Sequence, residues 1–235
     1  MQNITHYIPI LTTIVSFAFT AALYRHWQRK PEAKYLMWWT IGVFCFGIGT
    51  LTEAINVLFG WSVINMKAWY IAGALLGAFP LAQGTVYLLL KKKTADILTW
   101  FFIVYITIAA IAIMLAPVDM SLVDPTRLTG KVMTWTWARL FSILPNTYSL
   151  IFVVGGAAWS AIQYARKSDS GNRVLGNWLI AIGALLPGIG GSFTRMGYVE
   201  VLFVTEFIGI LLIWAGYRAM TQTQTKSIHA AQTTD

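Results

Sequence analysis

The stretch Gly183-Ala-Leu-Leu-Pro-Gly-Ile-Gly-Gly-Ser-Phe-Thr-Arg195 lies in an apolar run of membrane-spanning length, yet it contains a proline, clustered glycines and a charged end. Pro187 cannot donate a hydrogen bond to the carbonyl one helical turn earlier. Gly188, Gly190 and Gly191 have no side chains, which lets another backbone or a ligand approach closely. We therefore expect a transmembrane helix that bends or locally unwinds near the middle of the membrane and acts as a hinge.

The composition of the whole chain places this run in a membrane protein. Of its 235 residues, 57% are hydrophobic and 11% are charged, whereas soluble proteins contain about 25% charged residues. The formal net charge of +8 comes from basic residues that collect in short loops between apolar runs. This placement is typical of a membrane-orientation signal and excludes nucleic acid as a partner, so the expected environment is the lipid bilayer.

Apolar runs of about 20 residues recur along the chain, which is the length that crosses a bilayer as a helix. They predict seven spans. The predicted spans cover residues 7–24, 35–59, 68–90, 97–115, 134–162, 177–196 and 198–220. We expect an all-α fold, with a single seven-helix transmembrane domain over residues 1–220 and a polar, disordered cytoplasmic tail over residues 221–235.

The loops between the predicted spans differ in charge from one to the next. The loops after the first, third and fifth spans are basic, and the third-span loop contains Lys91, Lys92 and Lys93. Basic loops stay in the cytoplasm, so the N-terminus is expected outside and the C-terminus inside. The longest loop, residues 116–132, has prolines, a glycine and two aspartates, which is compatible with either an ordered external cap or a mobile lid.

Ionisable residues within membrane spans are functional candidates, because an unpaired charge in lipid is costly. This chain has Glu53, Arg139, Arg195 and Glu206 within or at the ends of its predicted spans. All of them fall in the predicted outer third of the membrane, so we expect them to face the bundle interior. Two acids and two arginines at one depth are able to form a paired network.

Asn56, Tyr70 and Asn146 are placed to complete the hydrogen bonds of this network. The pattern leaves three interpretations open. The network is a structural belt that sets helix register, or an outward-facing pocket for a zwitterionic or amphipathic ligand, or a proton or cation path through Glu53 or Glu206.

Prolines recur near mid-depth in three spans, at Pro80, Pro145 and Pro187. Each leaves the carbonyl about four residues earlier without its helical donor. The prolines are therefore candidate hinges around a cavity, although kinked helices also serve packing alone. Gln83 either lines such a cavity or is satisfied by neighbouring helices.

Several chemistries lack the residues that they need. Cys45 is the single cysteine, which excludes an intramolecular disulfide and a cysteine-based metal site. His6, His26 and His229 all lie outside the spans as predicted, so we expect no metal and no cofactor within the membrane. No nucleophile and base stand at a recognisable spacing, and we expect that the protein is not an enzyme.

Three segments of the second and third spans resemble a set of uncharacterised bacterial membrane proteins. They are Gly49-Thr-Leu-Thr-Glu-Ala54, Lys67-Ala-Trp-Tyr-Ile-Ala-Gly-Ala-Leu-Leu76 and Gln83-Gly-Thr-Val-Tyr-Leu-Leu89. The resemblance implies a multi-pass protein of the bacterial plasma (inner) membrane and no particular activity. The topology is also similar to that of rhodopsins, but the seventh span has no lysine for a retinal Schiff base.

Two functions fit these patterns. The first is an integral membrane protein with an outward-facing charged pocket that binds or transports a small zwitterionic or amphipathic solute. The alternative is a receptor-like sensor or an accessory subunit of a membrane complex, with no transport or catalytic activity. The expected partners are the lipid bilayer, a small-molecule ligand, and a partner membrane protein or a second copy of the chain.

Overall fold

Helices account for the regular structure of this chain in the computed structural model. The structure describes residues 4–167 and 171–232, with the side chains of residues 5–167, 171–194 and 196–221. Within these residues, seven helical stretches are long and apolar enough to cross a membrane, which confirms the all-α fold and the predicted number of spans. The spans are Thr5–Arg29, Lys34–Phe59, Val63–Leu89, Lys92–Leu115, Thr136–Ala165, Gly171–Thr194 and Val199–Thr221.

The spans differ in how continuous they are. The first, second, fourth, sixth and seventh spans contain one α-helix each, whereas the third and fifth are assembled from shorter pieces. In chain order the α-helices are α1 (Ile8–Arg29), α2 (Lys34–Phe59), α3 (Val63–Trp69), α4 (Phe79–Leu89), α5 (Lys92–Leu115), α6 (Thr136–Leu140), α7 (Ile143–Ser149), α8 (Gly156–Ala165), α9 (Gly171–Arg195) and α10 (Val199–Gln232). π-Helical segments, Tyr70–Leu76 and Leu150–Gly155, lie inside the third and fifth spans.

The chain forms two compact units, Met1–Leu150 and Ile151–Asp235. The sequence predicts one domain that ends at residue 220, followed by a disordered tail. The helix α10 extends past residue 220 to Gln232, and the domain limits stay a prediction. No glycine or proline interrupts residues 217–232, so nothing in the local sequence stops the helix.

In the first unit, the loop between α5 and α6 packs against the ends of the helices. Leu128, Val132 and Met133 from this loop are buried in a core cluster with residues of the third and fourth spans. A short antiparallel bridge joins Val118 to Met133 and closes the loop on itself. The loop is therefore an ordered cap, the first of the two alternatives. We call the end of the first unit that residues 116–135 cover the capped end.

In the second unit, α9 and α10 pack closely through glycines. A methyl group on Gly183 would lie 2.7 Å from the Gly209 carbonyl oxygen, and a methyl group on Gly209 would lie 2.7 Å from the Gly183 oxygen. Gly176 and Gly216 form a second reciprocal pair, with distances of 2.7 and 2.5 Å. The seven-residue spacing of these glycines places them on one face of each helix, where each Cα can approach a carbonyl oxygen of the other helix closely.

Of the two alternatives expected at Pro187, a bend or local unwinding, unwinding does not occur, because α9 is helical throughout Gly171–Arg195. The carbonyl that Pro187 leaves without a donor belongs to Gly183. That carbonyl faces the Cα of Gly209. A weak hydrogen bond from the neighbouring helix thus replaces part of the missing one, and the helix stays intact.

Candidate functional site

The third span is broken at Gly77. This residue follows the π-helical segment Tyr70–Leu76 and has a φ of +41°, a backbone conformation that favours glycine. Its N–H donates to the Ala72 carbonyl at 3.1 Å, and the chain then turns into α4. Pro80 lies in the first turn of α4, where a helix has no use for the missing N–H. Pro80 therefore marks where a new helix begins, beside the break and not inside a continuous helix.

The fifth span is interrupted between α6 and α7, and polar side chains bind the carbonyls that the interruption exposes. The Phe141 carbonyl, which Pro145 leaves without its helical donor, accepts a hydrogen bond from the Tyr105 hydroxyl at 3.1 Å. The Ser142 hydroxyl donates to the Arg139 carbonyl at 2.8 Å. Irregular backbone at membrane depth requires such partners, because lipid offers none.

Asn146 connects the two interrupted spans. Its side-chain amide donates to the Ser142 carbonyl at 2.7 Å within the fifth span and to the Ala74 carbonyl at 2.9 Å within the π-helical segment of the third. The breaks therefore lie next to each other in the first unit. Asn146 belongs to the predicted site, but its amide donates to these backbone carbonyls and not to the predicted charges.

The two predicted charges of the first unit, Glu53 and Arg139, lie near the capped end, and each forms a hydrogen bond with a different residue. Glu53 is 4% exposed, and its Oε1 accepts a hydrogen bond from Trp69 Nε1 at 2.9 Å. Arg139 is half-buried and donates from Nη1 to the Gly130 carbonyl at 3.4 Å. Among the described side chains, no ion pair joins Glu53 to Arg139. The burial of Glu53 agrees with the expectation that it avoids lipid.

The other two charges of the predicted network belong to the second unit. Glu206 is half-buried on α10. Arg195 is the last residue of α9, and its side chain lies outside the described side chains. The four-residue network consequently stays a prediction.

Asn56 and Tyr70 hold the cap in place. Asn56 is 5% exposed and donates from Nδ2 to the Pro125 carbonyl at 3.3 Å. The Tyr70 hydroxyl donates to the Arg139 carbonyl at 3.3 Å, and its ring packs so closely on Gly130 that any side chain there would overlap it. These residues attach the loop to α2 and to the third span.

Two aspartates shape the turns of the cap. The hydroxyl of Ser121 donates to the Asp119 carboxylate, and this hydrogen bond, together with one from the Ser121 N–H, lowers the pKa of Asp119. The Thr126 hydroxyl is the main cause that lowers the pKa of Asp124, which also pairs with Arg127 at 2.9 Å. Both carboxylates are therefore ionised at neutral pH and cap their own turns.

Lys67 is a buried charge that lies one residue before the third span as the sequence predicts it, residues 68–90. It is 9% exposed, and its Nζ donates to the carbonyls of Met114 at 2.6 Å and Ala116 at 2.8 Å. These carbonyls lie at the C-terminal end of α5, where backbone acceptors have no helical donor and the helix dipole is negative. Lys67 therefore caps the fourth span. The sequence signal that could have indicated this role is a lysine near the N-terminal end of the third span.

Gln83 is fully buried and satisfied by neighbouring helices, the second of the two alternatives for this residue. Its Nε2 donates to the Ala95 carbonyl at 3.0 Å and to Thr99 Oγ1 at 2.8 Å, both on α5. Its Oε1 accepts from the Tyr148 hydroxyl at 2.7 Å, on α7. One amide thus links the third, fourth and fifth spans.

A surface ion pair continues from this buried cluster. The Tyr87 hydroxyl is 3.1 Å from Thr99 Oγ1 and donates to Asp96 Oδ1 at 2.6 Å. Lys34 Nζ lies 2.9 Å from the same oxygen. These polar contacts join the second span to the third and fourth at the end opposite the cap.

The predicted hinge glycines have different surroundings. Gly190 packs on α10, where a methyl group would lie 2.8 Å from Leu202 Cα and would overlap Thr205 Oγ1. A methyl group added to Gly188 or Gly191 would have no described atom within 4 Å beyond its chain neighbours and its own helix backbone. Only Gly190 therefore provides the close backbone approach that the sequence suggests, and its role as a hinge is untested.

The arrangement near the capped end contains a buried carboxylate, amides and an indole N–H, which are groups able to form hydrogen bonds with a polar solute. Among the described residues, no group of three or more His, Cys, Asp and Glu side chains is placed to hold a metal ion. No protein family, curated protein or solved structure matches this chain. Function is therefore inferred from the geometry of the chain itself.

Proposed function

We propose that this protein binds or transports a small zwitterionic or amphipathic solute at the capped end of its first unit. The proposal rests mainly on the paired breaks in the third and fifth spans, which Asn146 links through the Ala74 carbonyl. Discontinuous helices at membrane depth are tolerated where they line a cavity or are buried in protein, and they form the solute sites of several transporter folds.

The charges at the capped end support a solute with both signs. Glu53 provides a buried carboxylate for a cationic group, and Trp69, its hydrogen-bond donor, adds an aromatic surface beside it. Arg139 adds a guanidinium group near the cap, and this positive charge favours a solute that also carries negative charge.

We place the protein in a bacterial plasma membrane with the capped end outside and the C-terminus in the cytoplasm. The basic loops after the first, third and fifth spans support this orientation. A cysteine introduced between Lys91 and Lys93 should resist an impermeant thiol reagent in intact cells and react after lysis. Labelling in intact cells would reverse the orientation.

Reconstituted vesicles test the proposed activity. The purified protein, its Glu53→Gln variant and a Glu32→Gln control are each incorporated into liposomes and offered labelled amino acids, amines and lysophospholipids. Glu32 is an exposed carboxylate outside the spans, so its replacement should leave solute uptake and binding unchanged. We expect the wild-type protein to take up or bind one solute class in a saturable way. The apparent affinity for that class should fall by about tenfold or more in Glu53→Gln, because a buried charge contact is lost, and should not change in Glu32→Gln. No saturable solute in any class would contradict the proposal.

A receptor-like sensor or an accessory subunit is the second candidate. One observation favours it: α10 continues as a helix to Gln232, which would carry a conformational signal beyond the membrane boundary. Saturable solute binding without any uptake into the same vesicles would favour this candidate over transport.

A further inference from the structure

The capped end contains a buried hydrogen-bond acceptor that nothing in the described chain uses. Asn56 Nδ2 donates to the Pro125 carbonyl, which fixes the amide orientation because only the NH₂ group donates. Its Oδ1 is therefore directed away from Pro125. That oxygen is buried and has no hydrogen-bond partner among the described residues. Glu53 lies one helical turn earlier, on the same face of α2.

Two other unpaired polar atoms lie at the same end. Trp61 Nε1, just after α2, is a buried donor with no partner in the described part of the chain. The Trp61 ring packs on the core cluster that includes Leu128 of the cap. Thr5 Oγ1 is also buried and unpaired within the described residues, and it belongs to the 3-10 turn that precedes α1 and contacts α2.

Such atoms are uncommon in folded proteins, because nearly every buried polar group finds a hydrogen-bond partner. An acceptor from Asn56, a donor from Trp61 and a hydroxyl from Thr5 at one end of one unit are complementary to a molecule with both donors and acceptors. Glu53 adds negative charge beside the acceptor. The set therefore matches a small zwitterion.

We infer that the capped end recognises an amino acid-like ligand, in which a protonated amine with N–H donors binds Asn56 Oδ1 near Glu53 and a carboxylate accepts from Trp61 Nε1 and Thr5 Oγ1. This inference rests on the proposed function and narrows its substrate class. A quaternary ammonium group is excluded, because it has no N–H and would leave the Asn56 oxygen unpaired.

Matched pairs of ligands test the inference. The full-length protein in detergent is titrated with ω-amino acids from glycine to 5-aminovalerate and with the N-trimethyl derivative of each, with binding followed by calorimetry. We expect one chain length to bind as the free amine, with its N-trimethyl derivative about tenfold weaker or worse. Stronger binding of the N-trimethyl series would overturn the inference and leave the proposed function standing. Binding of neither series would also overturn it, whether or not vesicles take up another solute.

Replacement of the indole separates recognition from packing. Trp61→Phe keeps an aromatic ring but removes the unpaired N–H together with part of the indole, while Trp137→Phe makes the same change at a ring that is 50% exposed. We expect Trp61→Phe to weaken binding of the amino acid about tenfold and to leave binding of the corresponding carboxylate-free amine unchanged. Equal affinities in the two variants would overturn the assignment of the carboxylate to Trp61.

Discussion

Gly183→Ala should separate α9 from α10, whereas Gly188→Ala in the same helix should not. A methyl group on Gly183 would lie 2.7 Å from the Gly209 carbonyl oxygen and 3.0 Å from side-chain atoms of Leu212 and Ile213. A backbone oxygen cannot rotate away as a side chain does. Because a C···O contact needs about 3.3 Å, the two backbones must move apart by roughly 0.6 Å.

The expected loss in the free energy of unfolding of Gly183→Ala follows from these contacts. Overpacking of a tight interface costs about 1–3 kcal/mol, and the reciprocal Cα–H···O contact with Gly209 is worth about 0.5–1 kcal/mol more. Both variants gain up to about 1 kcal/mol of helix propensity over glycine, so this term cancels between them. The free energy of unfolding should therefore differ by about 2–3 kcal/mol, with Gly183→Ala the less stable.

Thermal unfolding in detergent, followed by circular dichroism, measures the difference. For a chain of this length, about 2–3 kcal/mol corresponds to a Tm difference of roughly 5–10 °C. Gly188→Ala is the matched control, because no described atom lies within 4 Å of its methyl position. Equal Tm values, or a more stable Gly183→Ala, would refute the claim that this glycine exists for helix contact.

Two further predictions concern buried polar groups of the first unit. Lys67→Met should lower the free energy of unfolding by about 1.5–3 kcal/mol, because its charged hydrogen bonds to the end of α5 are lost. The control Lys131→Met, at an exposed position, should change the free energy of unfolding by less than about 0.5 kcal/mol. Similar Tm values for the two variants would contradict the capping role of Lys67. Gln83→Leu should cost about 1–3 kcal/mol because it leaves the Tyr148 hydroxyl without its acceptor, and adding Tyr148→Phe should recover about 1 kcal/mol of this loss. Strictly additive changes in a double-mutant cycle would show that the contact carries no coupling.

The sequence alone determines the number and approximate limits of the spans. Bilayer thickness sets the length of each apolar run, and this is a local property that needs no knowledge of neighbours. The burial of Glu53 follows in the same way, because lipid penalises an exposed charge wherever the helix lies. The sequence also predicts that another backbone approaches the glycines of the sixth span closely, and the approach of α10 to Gly190 is an example.

Only the tertiary structure decides where helices break. The sequence marks the third, fifth and sixth spans with prolines and points most strongly to the sixth, where Pro187 is surrounded by glycines, yet α9 is continuous because α10 approaches the Gly183 carbonyl. The third and fifth spans break instead, since Tyr105 and Asn146 bind the carbonyls that the breaks expose. Both outcomes depend on which helix is adjacent, and no spacing within one span contains that information.

The partners of polar residues are likewise a tertiary result. Gln83 is conspicuous in the sequence as a polar residue of an apolar span, and Lys67 as a charge directly before one, but each bonds atoms on a helix that follows later in the chain. Asn56 was predictable as a member of the site, whereas its free oxygen became visible only once the Pro125 carbonyl had fixed its amide group. Hydropathy determines which residues lie in the membrane, and the packing of the helices determines which polar atoms find a hydrogen-bond partner.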